Sequence, residues 1–179
     1  MKLTLPDPSL VALIGVASAG KSTFARQHFL PTEIVSSDHC RALVSDEENN
    51  QTVNQQAFEI LHLIAASRLT YHKLTVIDAT NVQREARAQL LALAREHRIP
   101  AVAVVLNFDL ESCLHRNAQR GHRVVPPDII LQQYADLQKA LGTLTDEGFH
   151  TISTLGSPTE AETLIIKRKK SRRRKSTSG

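Results

Sequence analysis

The sequence predicts one α/β domain built on a parallel β-sheet with helices on both faces. Three observations carry this expectation. Short apolar, β-branched runs alternate with longer amphipathic stretches along the chain, the pattern of strand–helix–strand units. The first of these runs leads straight into a glycine-bearing turn and a helix start, LIGVASAGKSTFARQHF at 13–29. A chain of 179 residues with 41% apolar content can bury one proper core.

The elements follow in order. LVALIGV (10–16), EIVSSD (33–38), LTVIDAT (74–80), AVAVVLNF (101–108) and HTISTL (150–155) read as strands. Amphipathic helices are expected over 54–73, 84–97, 109–120, 126–141 and 157–168, the fourth opened by prolines. SDEENNQT (45–52) reads as a loop. The expected division is a folded domain over 1–166 and a basic tail over 167–179. That tail holds Lys167, Arg168, Lys169, Lys170, Arg172, Arg173, Arg174 and Lys175; the rest of the chain carries 14 basic against 18 acidic residues, so the formal charge of +4 belongs to the tail. With no apolar periodicity, the tail is expected to be disordered, either a solubilising linker or a grip on nucleic-acid phosphates.

Several classes are set aside. There is no run of 18 apolar residues and hence no expected membrane span, and MKLTLPDPS does not read as a signal peptide. Cys40 and Cys113 lie in no C-x-x-C pattern, which suits a reducing cytoplasmic setting. Eight histidines lack zinc-ligand spacing, and no G-x-S-x-G elbow is present. Without tryptophan and with only Tyr71 and Tyr134, a long stacking groove for single strands is not expected.

The turn after the first strand has the pattern G-x-x-x-x-G-K-[ST], with Gly15, Gly20, Lys21 and Ser22. Glycines let backbone N–H groups turn towards anionic oxygens, and the helix start adds partial positive charge. Lys21 is then a mobile charge for the β- and γ-phosphates and the Ser22 hydroxyl a ligand for Mg²⁺. Many such loops carry glycine where Ser18 stands. Ligands of open α/β sheets sit outside the C-terminal strand ends, which directs attention to three further places. In VSSDHCR, Asp38 and Arg41 stand three apart, so a helical turn starting there would point a carboxylate and a guanidinium the same way. That pair suits an acceptor with a hydroxyl and a phosphate; the spacing equally fits a helix-capping aspartate with a surface arginine. In TVIDATN, Asp78 can reach the metal's surroundings or the loop serine, or simply cap; Thr80 and Asn81 follow as polar lining. In HRNAQRGHRVVPPD, Arg116 and Arg120 share a helix face and Arg123 follows Gly121, a crowding of like charge that a triphosphate would relieve, or else a solvated basic face.

Taken together, GVASAGKSTFA, EIVSSDHCR, LVSDEENNQT, VIDATNVQ and RNAQRGHRVV, in that order over about 8–165, resemble the 5′-OH polynucleotide kinase module of bacterial polynucleotide kinase-phosphatases, RNA end-healing proteins in which kinase, phosphatase and ligase-like units are joined. The resemblance implies a P-loop kinase with sheet order 2-3-1-4-5, which puts Asp78 beside the phosphate loop, and an arginine-bearing lid. It implies that ATP is held by Gly15, Ser18, Gly20, Lys21, Ser22 and Thr23, with Mg²⁺ on Ser22. Asp38 would be the general base on a ribose 5′-hydroxyl, and Arg41 would hold the neighbouring phosphate. Gln51 and Thr80 would line the acceptor side. Arg116, Arg120 and Arg123 would cover the ATP phosphates. The implied partners are 5′-OH ends of RNA or DNA, with phosphatase and ligase units of an end-repair system. Two other readings compete: a small-molecule kinase of the same fold, acting on a nucleoside, sugar or antibiotic, and a non-catalytic module that binds ATP and nucleic acid as a switch. A small-substrate kinase would have less need of an arginine after its base. Retention of Asp38 with three lid arginines argues against the switch.

Overall fold

A computed structural model of the chain describes residues 1–121 and 124–170. Five strands form one parallel sheet: β2 (Leu10–Ile14), β3 (Ile34–Ser36), β4 (Thr75–Asp78), β5 (Ala101–Leu106) and β6 (Thr151–Leu155), in the order β3-β4-β2-β5-β6. Counted over these five alone, that is the expected order 2-3-1-4-5. The first of these five, β2, sits at the centre, so the strand order reverses beside it and opens a crevice at the C-terminal end of the sheet.

Strand alternation divides the core in two. Leu10 and Ala12 of β2 and Ile77 of β4 face α3 (Asn54–Thr70) and α4 (Arg84–Glu96), where Leu61, Leu69, Leu90 and Leu91 cover them. Val11, Leu13 and Val76 face the other way, under Phe24 and Phe29 at α1 (Lys21–His28), Cys113 of α5 (Leu110–Ala118), and Ile130 and Leu137 of α6 (Pro127–Leu141). With both faces covered, β2 and β5 are buried at every position, which is why they read as continuous apolar runs. Arg87, 1% exposed, is the largest polar side chain in the interior. Its guanidinium makes a two-pronged pair with Glu147 of α7 (Leu144–Glu147), at 2.6 and 2.7 Å, and donates to the carbonyls of Asn81 and Val82. Burial pushes the Glu147 carboxyl up, but the Arg87 hydrogen bonds outweigh it and leave it below the usual range.

Both ends of the chain depart from expectation. Residues Lys2–Asp7 form a strand, β1, and Ile165–Lys170 form another, β7, and the two pair in parallel as a ribbon apart from the main sheet. The helix expected over 157–168 stops as α8 (Pro158–Thr163). The boundary expected at 166/167 therefore falls inside a strand, and Lys167–Lys170 are folded rather than disordered; residues 171–179 lie outside the described residues. The cause is burial on one side of the ribbon. Leu3 and Leu5 join the core, with Ile166 packed against it. Arg168 is neutralised by Glu33, each guanidinium nitrogen 2.7 Å from a carboxylate oxygen, and lies over the Phe29 ring. No helix of the described residues is long and apolar enough to cross a membrane.

Candidate active site

The phosphate-loop motif bridges β2 and α1 as its sequence demands. Gly15 cannot carry a side chain without strain, because an added Cβ would stand 3.0 Å from the Leu106 carbonyl oxygen of β5. Gly20 adopts φ +91°, a conformation that favours glycine, and caps α1. Ser18 also takes a left-handed conformation, φ +64°. This is the physical content of the glycine preference at that position: a turn with positive φ is needed, and serine adopts it at some conformational cost. The Ser18 hydroxyl lies 3.3 Å from the Asn117 amide oxygen, and the backbone N–H of Ala17 donates to Gln133 of α6 at 2.8 Å.

Lys21 is 8% exposed, and its ammonium donates to the carbonyls of Gly15 and Val16 at 2.9 and 2.7 Å. The charge thus stays inside the loop's own curve. α1 has no side-chain cap and no acidic residue in its first turn, so its leading N–H groups are kept for an anion. Ser22 is half-buried in that first turn and Thr23 beside it is exposed. The neighbouring strand end is tied to the loop. The Gly15 N–H donates to the Thr80 carbonyl at 3.0 Å, and the Asn81 side chain donates to the Leu13 carbonyl at 2.7 Å. Asn81, expected as lining, is therefore a buried tie between β4 and β2; Thr80 is half-buried.

Asp78 ends β4, is 4% exposed and pairs in register with Ser36. Its carboxylate makes no hydrogen bond or ion pair among the described residues. A buried carboxylate without a protein partner asks for a cation or water. No group of three or more His, Cys, Asp or Glu is gathered for a metal among the described residues. One hydroxyl and one carboxylate fit Mg²⁺, which keeps several waters and takes phosphate oxygens as its remaining ligands.

The arginine segment lies against the loop. The Arg116 guanidinium stands over the Phe108 ring, 5.4 Å from its centroid, and its Nε donates to the Ser112 carbonyl at 3.2 Å. Its Nη1 is 3.8 Å from where a Cβ on Gly20 would be, and its Nη2 is buried with no hydrogen-bond partner among the described residues. A buried guanidinium donor left unpaired beside the start of α1 is costly unless an anion takes it. Helix α5 ends at Ala118, so Arg120 sits two residues beyond the helix rather than on it. Arg120 is half-buried, and burial together with the charge of Arg116 pushes its guanidinium below the usual range. Arg123 lies outside the described residues. Asn117 was not expected from the sequence. It is buried, accepts from the Val125 N–H at 3.0 Å and donates to the Val125 carbonyl at 2.7 Å, tying the end of α5 to Val125. The available signal was its spacing of four from Cys113, which put both on the inward face of α5.

Across the crevice, Ser36 caps α2 (Ser37–Ser45), accepting from the His39 N–H, and places Asp38 in the first turn. Asp38 and Arg41 do share a face, and they meet: Arg41 Nη2 pairs with Asp38 Oδ1. Arg41 is buried, its Nε donating to the Glu48 carbonyl at 2.7 Å and its Nη1 to Asn54 at 2.9 Å. It therefore fastens the 45–53 segment and the start of α3 around Asp38. Gln51 is exposed in the short 3₁₀ turn Gln51–Val53. The arrangement brings together a phosphate loop, an unpaired arginine donor, a buried carboxylate and a second carboxylate held by an arginine. These are the parts needed to hold a nucleoside triphosphate and pass a phosphoryl group to a hydroxyl.

A family model for the AAA domain matches residues 10–144, three quarters of the chain. The chain belongs to this family. Within it, the domain is P-loop kinase-like and nucleotide-binding. No curated protein matches the chain in sequence. Among solved structures, a chain of the Pnkp1/Rnl/Hen1 RNA repair complex is similar at TM-score 0.67 and 22% identity, over 78% of this chain and 47% of that one. Our chain thus spans about half the length of that neighbour. Shikimate kinase from Acinetobacter baumannii, in complex with shikimate, is similar at TM-score 0.54 and 20% identity over 87% of both chains. Kti12 from Chaetomium thermophilum, in complex with ADP-AlF3, is similar at TM-score 0.57 and 12% identity, over 85% of this chain and 93% of that one. At these identities the likeness is one of fold.

Proposed function

We propose that the chain is an ATP-dependent polynucleotide 5′-hydroxyl kinase, a phosphotransferase acting on 5′-OH ends of RNA or DNA in end healing. The observation that carries this reading is the Asp38–Arg41 pair at the same C-terminal end of the sheet as the phosphate loop, a carboxylate and a guanidinium fixed side by side by Glu48 and Asn54. A carboxylate alone would serve any hydroxyl acceptor. A guanidinium beside it adds recognition of an anion near that hydroxyl, which a polynucleotide end supplies in its first internucleotide phosphate.

In this reading Asp38 accepts the proton of the 5′-hydroxyl as its oxygen attacks the γ-phosphorus in line. A phosphate monoester forms, the bond from the γ-phosphorus to the bridging oxygen breaks, and ADP leaves. Arg41 turns its remaining donors to the acceptor phosphate, with Gln51 and Thr80 lining that side. Lys21 and the loop amides around Gly15, Ser18, Gly20 and Ser22, with Thr23 beyond them, hold the donor phosphates. Arg116 with Arg120 and Arg123 neutralises charge that builds on the transferring group. Ser22, with Asp78 nearby, would hold Mg²⁺, which would supply positive charge to offset that of the donor phosphates. The protein's share is positioning and charge rather than covalent chemistry. The setting proposed is a reducing cytoplasm, in keeping with the free, buried Cys40 and Cys113, alongside phosphatase and ligase activities.

A second reading is favoured by one observation: three Arg41 donors are committed to protein groups, as a purely structural arginine's would be. A kinase for a small hydroxylated acceptor would need no more. The test is transfer of γ-labelled phosphate from ATP to a 5′-OH oligonucleotide, set beside a nucleoside, sugar and hydroxy-acid panel. Label in the oligonucleotide alone supports the polynucleotide reading; label only in a small acceptor replaces it.

A further inference from the structure

We propose that the outward face of the β1–β7 ribbon, carrying Lys2, Lys167 and Lys169, binds the sugar–phosphate backbone of the same nucleic acid whose end is phosphorylated; the proposal rests on the polynucleotide reading above. Paired residues of a sheet point to the same side. The register sets Lys2 opposite Ile165, Thr4 opposite Lys167 and Pro6 opposite Lys169, while Leu3, Leu5 and Asp7 fall on the other side with Ile166, Arg168 and Lys170. The second set is on the core side, with Leu3 and Leu5 buried, Ile166 half-buried and Arg168 held by Glu33, while Lys170 at the strand's end is exposed. The first set faces outward: Lys2, Thr4, Lys167 and Lys169 are exposed, and Ile165 between them is 59% exposed.

The sorting of charge is what points to a polyanion. Among the described residues both carboxylates near the ribbon act on Arg168: Glu33 pairs with it, and Asp7 adds to its field from the inward side. No ion pair of Lys2, Lys167 or Lys169 is found among the described residues. Three like charges on one small sheet face repel each other, a cost that a phosphate backbone removes and that the acidic remainder of the chain does not. Lys170 ends the strand, and the sequence after it holds Arg172, Arg173, Arg174 and Lys175.

The ribbon's place gives the surface a length requirement. Asp7 precedes β2, and Glu33 directly precedes β3, so the ribbon lies at the N-terminal edge of the sheet. The phosphate loop lies at the opposite edge, a full β2 away. The five residues of β2 span about 17 Å at roughly 3.3 Å each. At roughly 3.4 Å per phosphate, a strand needs on the order of five nucleotides to reach from one to the other. A dinucleotide can fill the transfer site but cannot touch the ribbon.

The experiment compares the full chain with Lys2→Ala/Lys167→Ala/Lys169→Ala, using Lys139→Ala, an exposed lysine of α6, as control. Thermal melting first establishes that both variants fold. Binding of a long single-stranded oligonucleotide, measured by fluorescence anisotropy without ATP across a salt series, should weaken about tenfold at low salt in the triple variant. Its log–log salt slope should fall by about 2, since each lost phosphate contact removes about 0.7. KM for a long 5′-OH acceptor should rise in parallel, with kcat and the KM for a dinucleotide unchanged; Lys139→Ala should change nothing. Unchanged long-strand affinity and salt slope in the triple variant would overturn the proposal and leave the lysines as guards of an open strand edge. A melting temperature lowered with affinity intact would overturn it equally. Lysine-dependent binding by a chain that phosphorylates no 5′-OH end would uphold the surface while removing the kinase reading.

Discussion

The two walls of the crevice solve positioning in opposite ways. On the nucleotide wall, donors are left without protein partners: α1 has no side-chain cap, and Arg116 Nη2 is buried and unpaired. On the acceptor wall the arginine is already engaged, with Arg41 bonded to Asp38, Glu48 and Asn54. An unpaired donor is held ready for a ligand at the expense of stability. An engaged donor contributes to stability first and to binding through what it has left. Mutations on the two walls should therefore separate into those that damage function alone and those that damage the fold as well.

The largest expected effect is on transfer itself. Asp38→Asn should slow phosphoryl transfer by about 10²–10⁴-fold while leaving ATP affinity near wild type, because the group acts on the acceptor. Turnover and calorimetric ATP binding on the same preparation check both halves; near-normal turnover removes Asp38 from the role of base. Next, Arg116→Ala should lower kcat by about 10²–10³-fold, the scale of losing one donor to a developing charge, with little change in melting temperature. A marked loss of stability would mean that its unpaired nitrogen is satisfied within the protein, and the contrast between the walls would dissolve.

Arg41→Ala sharpens the contrast from the other side. It removes the ion pair to Asp38 and the hydrogen bonds to Asn54 and the Glu48 carbonyl, and should cost about 1–3 kcal/mol in denaturant unfolding besides raising the acceptor KM. Stability unchanged by Arg41→Ala would make this wall as open as the other. The smallest effect is expected for Ser18→Gly. Relief of the left-handed conformation is opposed by loss of the contact to Asn117, so stability should move by less than about 1 kcal/mol and the KM for ATP should hardly change. A large rise in that KM would give the Ser18 hydroxyl a direct share in binding.

The sequence made the walls legible to different depths. The five strands, the glycines at 15 and 20 and the start of α2 near Asp38 were readable from local pattern: apolar runs, a spaced motif, a serine before a helix; the order of the strands came only with the family resemblance. The pairing within the acceptor wall was not. Asn54 is 13 residues from Arg41, and nothing in their spacing says that a loop will fold back between them. Asn117 and Gln133 are polar residues on helices, ordinary until the fold sets them against Ser18 and Ala17. Arg87 was hidden for the same reason, its partner Glu147 lying 60 residues away. The ends of the chain misled through composition. IIKRKK reads as a charge run, yet Leu3 and Leu5 offer it an apolar side and Glu33, 135 residues from Arg168, neutralises the charge that turns inward.

The most direct measurement is phosphate transfer to a matched pair of oligonucleotides, one ending in a 5′-hydroxyl and the other already carrying a 5′-phosphate. With γ-labelled ATP and Mg²⁺, the account predicts label at the 5′ end of the first, removable by a phosphomonoesterase, and none on the second. Equal labelling of both, or labelling of neither while ATP is bound, would contradict it.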